Sequence, residues 1–381
     1  MKVTQLHTLM NAVTKEILGE TAVVNEDLSN VVDIGKTIID QENGIDNYVR
    51  KLVNHIGKVV FVNRAYAGGV PSVLMDSWEF GSILEKISGE LPDAEENQSW
   101  NLQDGQEYKQ DVFHQPKVEA KFFNSKVTFE IPMSFTERQV KESFSSAEQL
   151  NGFVSMLTTN IENSMTVKLD SLIMRSINNM TGETLNDANA IRAVNLLTAY
   201  NAQAETPLTA AKAITNNDFV RFATYQIALV ADRMSKISKL FNVSGKARFT
   251  PADMLRVVLL SDFAKSSEIL TAAMTDNADR VALPAHDAVP YWQGSGTGYS
   301  FADVSSIDVK TASGATVKKS GIIGVMFDRD AVGVANLDRR VTTNYNAKAE
   351  FYNNYYKMDA GYYNDLAENF VVFFVEDAPE A

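Results

Sequence analysis

The sequence predicts an α+β fold built around one unusually long helix. Apolar residues recur in steps of three and four from Leu150 to Met180, which is the spacing of one face of an amphipathic helix. Segments of strand-type composition stand on both sides of this helix, at 126–131 before it and at 322–327, 345–356 and 370–375 after it. Helical and strand segments therefore belong to the same fold.

The ends of the long helix are marked by capping signals. Either serine of Ser145-Ser146 can accept hydrogen bonds from the first turn, and Glu148 or Gln149 can reach back to the cap. Gly182 suits the position just past the last turn. We predict a helix over 147–180, about 50 Å long at 1.5 Å per residue, which is several times the mean for compact domains.

A polar segment interrupts the strands before the helix. Val127, Phe129 and Ile131 alternate with polar residues and predict a half-buried strand, whose continuation Pro132 disfavours. Residues 91–112 are too polar to contribute a core strand, although strand-type segments flank them. They predict a long hairpin or loop that projects from the body.

The composition excludes several function classes. The 35 Lys and Arg residues against 48 Asp and Glu residues give a formal charge of -13, the wrong sign for a protein that mainly binds phosphate backbones. The absence of cysteine excludes disulfides, thiolate nucleophiles and cysteine-bound metals. Neither a signal peptide nor an apolar run of about 18 residues occurs, so we expect a cytoplasmic protein without membrane contact.

Catalytic and cofactor motifs are weak throughout the sequence. Gly35-Lys36-Thr37 lacks the upstream glycine of a phosphate loop, and the glycines within 294–298 lack the spacing of a dinucleotide loop. The four histidines are widely separated. The acids Asp328 and Asp330 are expected to be solvated or salt-bridged. We therefore expect no catalytic, cofactor-binding or metal-binding residue, although an enzyme that uses these acids or the 294–298 loop stays an alternative.

The order of the predicted elements resembles the major capsid proteins of tailed double-stranded DNA bacteriophages, which have the Hong Kong 97 fold. The resemblance covers about 57–376. The segments that carry it are the passage from Lys126-Val127-Thr128-Phe129-Glu130-Ile131 through Lys141-Glu142-Ser143-Phe144 to Leu172-Ile173-Met174-Arg175, the stretch 321–331, and the closing segment 352–375.

The resemblance implies a division of the chain into five parts. These are an N-terminal arm at 1–56, an extended hairpin loop (E-loop) at 57–131, a peripheral domain at 132–184 with its spine helix at 147–180, an axial domain at 185–339, and the closing strands of the peripheral domain at 340–381.

The resemblance also implies a structural function without catalysis. The chain would self-assemble into pentamers and hexamers of an icosahedral head, in the host cytoplasm, and would touch packaged double-stranded DNA only non-specifically. A portal and a separate scaffolding protein are the expected partners, the latter because only about 55 residues precede the loop. The alternative with the same fold is an encapsulin-type nanocompartment shell.

Three aromatic residues of the extended loop are candidate anchors on a neighbouring subunit. They are Trp78, Phe80 and Trp100, because large aromatic side chains dominate the energy of protein interfaces. Packing inside the subunit is the alternative for each of them, since core aromatics and interface anchors look alike in sequence.

Overall fold

The computed structural model describes residues 70–75, 84–136 without 93, 109, 110 and 112, then 147–273, 283–294 and 302–378, with eight single positions before residue 40. Most of the predicted N-terminal arm lies outside these residues. So do the predicted serine cap of the long helix and most of the glycine-rich 294–298 segment.

The described chain contains fifteen strands and five α-helices. They are β1 Leu74–Met75, β2 Leu84–Gly89, β3 Val118–Phe123, β4 Lys126–Thr136, α1 Ala147–Asn186, β5 Ala193–Asn195, α2 Leu196–Asn201, α3 Ala210–Ala213, α4 Asn217–Met234, β6 Leu255–Leu260, α5 Ser261–Ala273, β7 Asp287–Val289, β8 Gln293–Gly294, β9 Ala302–Val304, β10 Ile307–Lys310, β11 Thr316–Lys319, β12 Ile322–Asp328, β13 Val332–Asn346, β14 Phe351–Asn364 and β15 Phe370–Phe374.

The long helix is present and runs further than the sequence predicts. Helix α1 has 40 residues and ends at Asn186, so Gly182 lies inside it and does not terminate it. A Cβ atom on Gly182 would overlap the side chain of Val309 in β10. The glycine is therefore needed for the close approach of the β10–β11 hairpin to the helix, and the prediction of a C-terminal cap was wrong.

A five-stranded sheet has the order β5-β15-β12-β6-β7, and its inner strands β15 and β12 are buried on both faces. All seven residues of its central strand β12 are buried. Val325 and Phe327 of this strand join a core that includes the apolar residues of α1. Ile323 and Met326 join a second core formed with α2, α4 and α5. The sheet thus separates α1 from the other helices.

A four-stranded sheet, in the order β1-β13-β14-β4, covers another side of α1. Strands β13 and β14 form a long antiparallel hairpin, and β14 pairs in turn with β4. Residues of β14 alternate between buried and half-buried, and Tyr352, Tyr356 and Met358 belong to the core that includes α1. The sheet and the helix therefore stabilise each other through one apolar face.

Two predictions about strands were wrong. The segment 345–356 is the end of a hairpin and not one strand, because β13 ends at Asn346 and β14 begins at Phe351 after a turn in which Glu350 has a φ of 52°. Strand β4 continues through Pro132 to Thr136. It can do so because β4 lies at the edge of its sheet, where a missing N–H costs no ladder hydrogen bond.

We predict that Gly182→Ala lowers the free energy of unfolding by about 1–3 kcal/mol, because the added methyl group overpacks the contact with Val309. This sign is the reverse of the usual gain of about 1 kcal/mol for glycine to alanine inside a helix. Denaturant unfolding of the unassembled subunit measures the effect. The double variant Gly182→Ala/Val309→Ala should recover part of the loss, and an increased stability of Gly182→Ala would contradict the packing role.

Candidate assembly interface

Strands β2 and β3 form an antiparallel hairpin that carries a long connecting segment. Leu84 pairs with Phe123 at one end and Gly89 with Val118 at the other. We call these two strands the root and residues 91–117 the tip. The tip contains the polar segment 91–112, for which the sequence predicts a projecting hairpin or loop.

The inward face of the root is positively charged. Lys86 and Lys121 lie directly opposite each other on the two strands, an arrangement in which like charges repel. Asp365 lies between them and accepts a hydrogen bond from each, at 2.9 Å from Lys86 Nζ to Oδ2 and at 2.8 Å from Lys121 Nζ to Oδ1. One carboxylate thus neutralises the repulsion and ties both strands to the body.

A second carboxylate extends this contact into the root cluster, by which we mean Lys86, Lys121, Arg248, Asp365 and Glu368. Glu368 Oε1 lies 2.7 Å from Lys86 Nζ and 3.3 Å from Arg248 Nε. Both carboxylates belong to the short 365–369 loop between β14 and β15. Their side chains are almost fully buried, so they need these cations as partners.

The pKa values in the root cluster follow from burial and charge together. Burial alone would raise the pKa of Asp365, but Lys121 and Lys86 outweigh it and hold this pKa below its usual value. Burial alone would lower the pKa of Lys86, but Glu368 and Asp365 raise it above its usual value. Both groups therefore stay ionised across the neutral range, and the contact persists there.

Two further contacts fix the root on the body. Lys246 Nζ lies 3.0 Å from a carboxylate oxygen of Glu90 and 3.0 Å from one of Glu119, in a more exposed setting than the root cluster. The rings of Phe123 and Tyr363 are in contact, with centroids 4.9 Å apart. The inward face of the root is thus held by both ionic and aromatic contacts.

The outward face of the root is apolar except for Glu85. Ile87 is 65% exposed, and Val118 and Phe122 are each 64% exposed. An isolated subunit would be expected to show the reverse, with apolar side chains against the body and lysines in water. The described residues of the subunit therefore leave the outward face of the root largely uncovered.

The tip combines exposed aromatic and acidic side chains. Trp100 is 94% exposed and Phe113 is 87% exposed. Exposed carboxylates stand among them, at Glu95, Glu96, Asp104, Glu107 and Asp111. Among the described residues of the tip, the hydrogen bonds and ion pairs join tip residues to each other or to Glu90. Within the described residues, no hydrogen bond or ion pair joins the tip to the body beyond Glu90.

Of the three predicted anchor residues, Trp100 lies among the described residues. Trp100 ends the short 3-10 helix Gln98–Trp100, and its exposure excludes packing in the subunit core. Trp78 and Phe80 lie outside the described residues. Sequence reasoning missed the root cluster altogether, because Lys86 and Asp365 are 279 residues apart and neither carries a local signal.

The acidic pair Asp328 and Asp330 is arranged as a turn. The prediction that both acids are solvated or salt-bridged holds for Asp330, which pairs with Arg329 at 3.4 Å. It was wrong for Asp328, which is buried, and burial raises the pKa of its carboxyl group. Its Oδ1 accepts a hydrogen bond from the backbone N–H of Asp330 at 2.9 Å, which stabilises the turn after β12. In the described part of the chain, no group of three or more His, Asp or Glu side chains could hold a metal ion.

The sequence matches the family of Phi29-like phage major capsid proteins over residues 10–374. The chain belongs to this family. The predicted resemblance to phage major capsid proteins is therefore confirmed, and so is the predicted function as a structural protein of the capsid shell. The family is one of structural proteins, and its members are located in the capsid of the virion.

Solved phage capsid structures align with this chain, one of them with a TM-score above 0.5. The capsid structure of Staphylococcus phage Andhra aligns with a TM-score of 0.52 at 9% identity, over 83% of this chain and 87% of that one. The capsid structure of cyanophage P-SCSP1u aligns with a TM-score of 0.48 at 11% identity, over 83% and 91%. The Andhra likeness confirms the predicted α+β capsid fold. No curated protein sequence matches the chain.

None of the described helices is long and apolar enough to cross a membrane.

We predict that Asp365→Asn lowers the free energy of unfolding of the capsid subunit by about 2–3 kcal/mol, because it removes the charge that offsets Lys86 and Lys121. Denaturant unfolding measures this loss. The matched control is Asp308→Asn, which breaks an ion pair of the same 2.8 Å length with Lys318. Both partners of that pair are at least half exposed, so its loss should stay below about 1 kcal/mol. Equal losses in the two variants would contradict the importance of burial.

The penalty of Asp365→Asn should depend on pH in a defined direction. Because the folded pKa of Asp365 is lowered, its ionised form stabilises the fold fully above the unfolded value of about 3.9, and this stabilisation is lost as the pH falls through the folded pKa. Urea unfolding at a series of pH values should therefore show a difference between wild type and Asp365→Asn that shrinks below about pH 4. A difference in the free energy of unfolding that grows as the pH falls would contradict a lowered pKa of Asp365 in the folded subunit.

Proposed function

We propose that this capsid protein self-assembles into the pentamers and hexamers of an icosahedral head that encloses a double-stranded DNA genome, and that it acts by self-association and not by catalysis. In this assembly the hairpin formed by the root and the tip lies across a neighbouring subunit. The family membership supports the shell function. The chemistry of the hairpin supports its place at the contact between subunits.

The observation that carries the proposal is the concentration of exposed apolar side chains on the hairpin. Of the fifteen large apolar residues that are exposed in the described part of the chain, eight lie between Ile87 and Phe122. Contiguous exposed apolar surface on a soluble protein marks an interaction site. Ordering a segment without a core of its own becomes favourable when it covers a partner.

We propose the domain division that the resemblance implies. Residues 57–131 form the extended loop, with the hairpin as its projecting part; 132–184 and 340–381 form the peripheral domain around α1; 185–339 form the axial domain; and 1–56 form the N-terminal arm. The sheet β1-β13-β14-β4 packed on α1 supports the peripheral domain. The core formed with α2, α4 and α5 supports the axial domain. Strand β15 pairs with β12 and β5, so within 340–381 we assign Phe370–Phe374 to the axial domain and not to the peripheral domain.

The proposed partners follow from this function. The inner face of the shell contacts packaged DNA without base recognition, and the formal charge of -13 keeps that contact weak. A separate scaffolding protein and a portal are the proposed assembly partners, with assembly in the host cytoplasm. The family match supports a phage head over the alternative of an encapsulin-type nanocompartment.

Particle formation tests the proposed function. The purified protein, alone and after co-expression with its genomic neighbours, is examined by sedimentation and negative-stain imaging. We expect closed shells or free pentamers and hexamers. A protein that stays monomeric at every concentration and in every co-expression would overturn the proposal.

We predict that Trp100→Ala lowers the yield of particles and leaves the subunit folded. The side chain is 94% exposed in the subunit, so its loss should change the free energy of unfolding by less than about 0.5 kcal/mol. At an interface, loss of a tryptophan anchor costs about 2 kcal/mol for each contact. The control is Ile269→Ala on α5, where the side chain is 70% exposed. Equal particle yields for both variants would exclude Trp100 as an anchor.

A further inference from the structure

One surface segment of the body has an unusual charge for this acidic chain. Residues 233–249 contain five basic residues and no acidic one, whereas the whole chain has 48 acidic and 35 basic residues. Arg233, Lys236 and Lys239 are exposed, and within the described residues they form no ion pair, although the charge of Lys239 contributes to lowering the pKa of Glu90 in the same subunit. We call residues 233–249 the basic loop.

The basic loop also exposes apolar side chains. Ile237 is 56% exposed, Leu240 is 49% exposed and Phe249 is 50% exposed. A segment that binds only phosphate groups does not need large apolar side chains in water. The loop therefore combines the two properties of a protein-binding surface, an apolar centre and a charge that selects the partner.

The basic loop is held in one conformation by its own hydrogen bonds. The backbone N–H groups of Ser238 and Arg248 each donate to the carbonyl group of the other residue, both at 2.9 Å. The amide of Asn242 accepts from the N–H of Lys246 at 2.8 Å and donates to the carbonyl oxygen of Lys246 at 2.7 Å. A surface that is already ordered loses little entropy when a partner binds.

The tip of the hairpin has the complementary properties. It contains six acidic and two basic residues in 91–117, with Trp100, Tyr108 and Phe113 exposed among them. Aromatic side chains of the tip can cover the apolar residues of the loop while its carboxylates face Lys236 and Lys239. No other partner is needed to explain both surfaces, because one chain carries both.

We infer that the tip of one subunit docks on the basic loop of a second copy of the chain. The inference rests on the proposed function, in which the hairpin lies across a neighbour, and it names the surface on which the hairpin lands. The loop of the same subunit already holds the root of its own hairpin through Lys246, which contacts Glu90 and Glu119. The tip begins just beyond that root and is free to reach the next copy.

The docking is a head-to-tail contact that can repeat around a ring. The tip and the basic loop are different surfaces, so the contact is heterologous, and each subunit offers one of each. Such a contact repeats from copy to copy, and it closes into a ring where the rotation between successive copies permits closure. Five- and six-membered rings then use the same pair of surfaces at slightly different angles.

Charge reversal on each surface tests the docking in the full chain. The tip variant is Glu95→Lys/Glu96→Lys, the basic-loop variant is Lys236→Glu/Lys239→Glu, and a third protein combines all four substitutions. Like charges across an interface cost several kcal/mol, so each two-residue variant should lower the particle yield by at least about tenfold. The combined variant should restore the yield to within about threefold of wild type.

A matched control reverses two exposed lysines elsewhere on the body, Lys310→Glu/Lys348→Glu, and should assemble like wild type. Wild-type yield from the basic-loop variant, or no recovery in the combined variant, overturns the docking. Normal particles from the basic-loop variant that have lost co-purifying DNA would assign the loop to nucleic acid instead, which also overturns it. Wild-type protein that never assembles contradicts the proposed function itself.

Cysteine cross-linking gives an independent measurement, because the natural chain contains no cysteine. Asn101→Cys beside Trp100 and Ser235→Cys in the basic loop are combined in one chain and oxidised. A ladder of linked subunits on a non-reducing gel supports the docking. Particles without links, or only a monomeric internal disulfide, overturn it. The control pair Asn101→Cys/Ala349→Cys should give no ladder.

Discussion

The attachment of the hairpin to the body of this capsid protein depends on one carboxylate, that of Asp365, which lies between two lysines. Lys86 and Lys121 are opposite each other on a two-stranded ribbon, and such a ribbon is marginally stable in water even without like charges across it. Asp365 supplies the missing charge from the loop between β14 and β15. Because β14 and β15 lie in the two main sheets, the direction of the hairpin is set by the core of the subunit.

The two faces of the hairpin differ in chemistry, one ionic and one apolar, and this difference suits a subunit of a shell. Ionic contacts hold the root to its own chain, where burial protects them from salt and water. Apolar and aromatic side chains remain available for a neighbour, where the hydrophobic effect is non-directional and tolerates small changes of angle. A subunit that must occupy several slightly different environments needs a rigid attachment to itself and an adaptable contact with others.

Local sequence patterns predict the helices and strands of this fold better than they predict the contacts between them. The three-and-four spacing from Leu150 to Met180 is sufficient for α1, and the polar tip is visible as an interruption between strands. Gly182 was misinterpreted because a glycine needed for packing against Val309 looks the same as one that ends a helix. The root cluster was not predictable, since its lysines and carboxylates meet only after the chain returns through both sheets.

Pro132 disfavours one way in which copies of this protein could associate, the pairing of strands edge to edge. It lies in β4, the outer strand of the sheet β1-β13-β14-β4, and an outer strand offers unpaired backbone groups to any passing strand. A strand added to β4 would find no backbone donor at the proline. Continuous sheets that run from one molecule into the next, as in amyloid fibres, are therefore disfavoured along this edge, even at the high local concentration inside an infected cell.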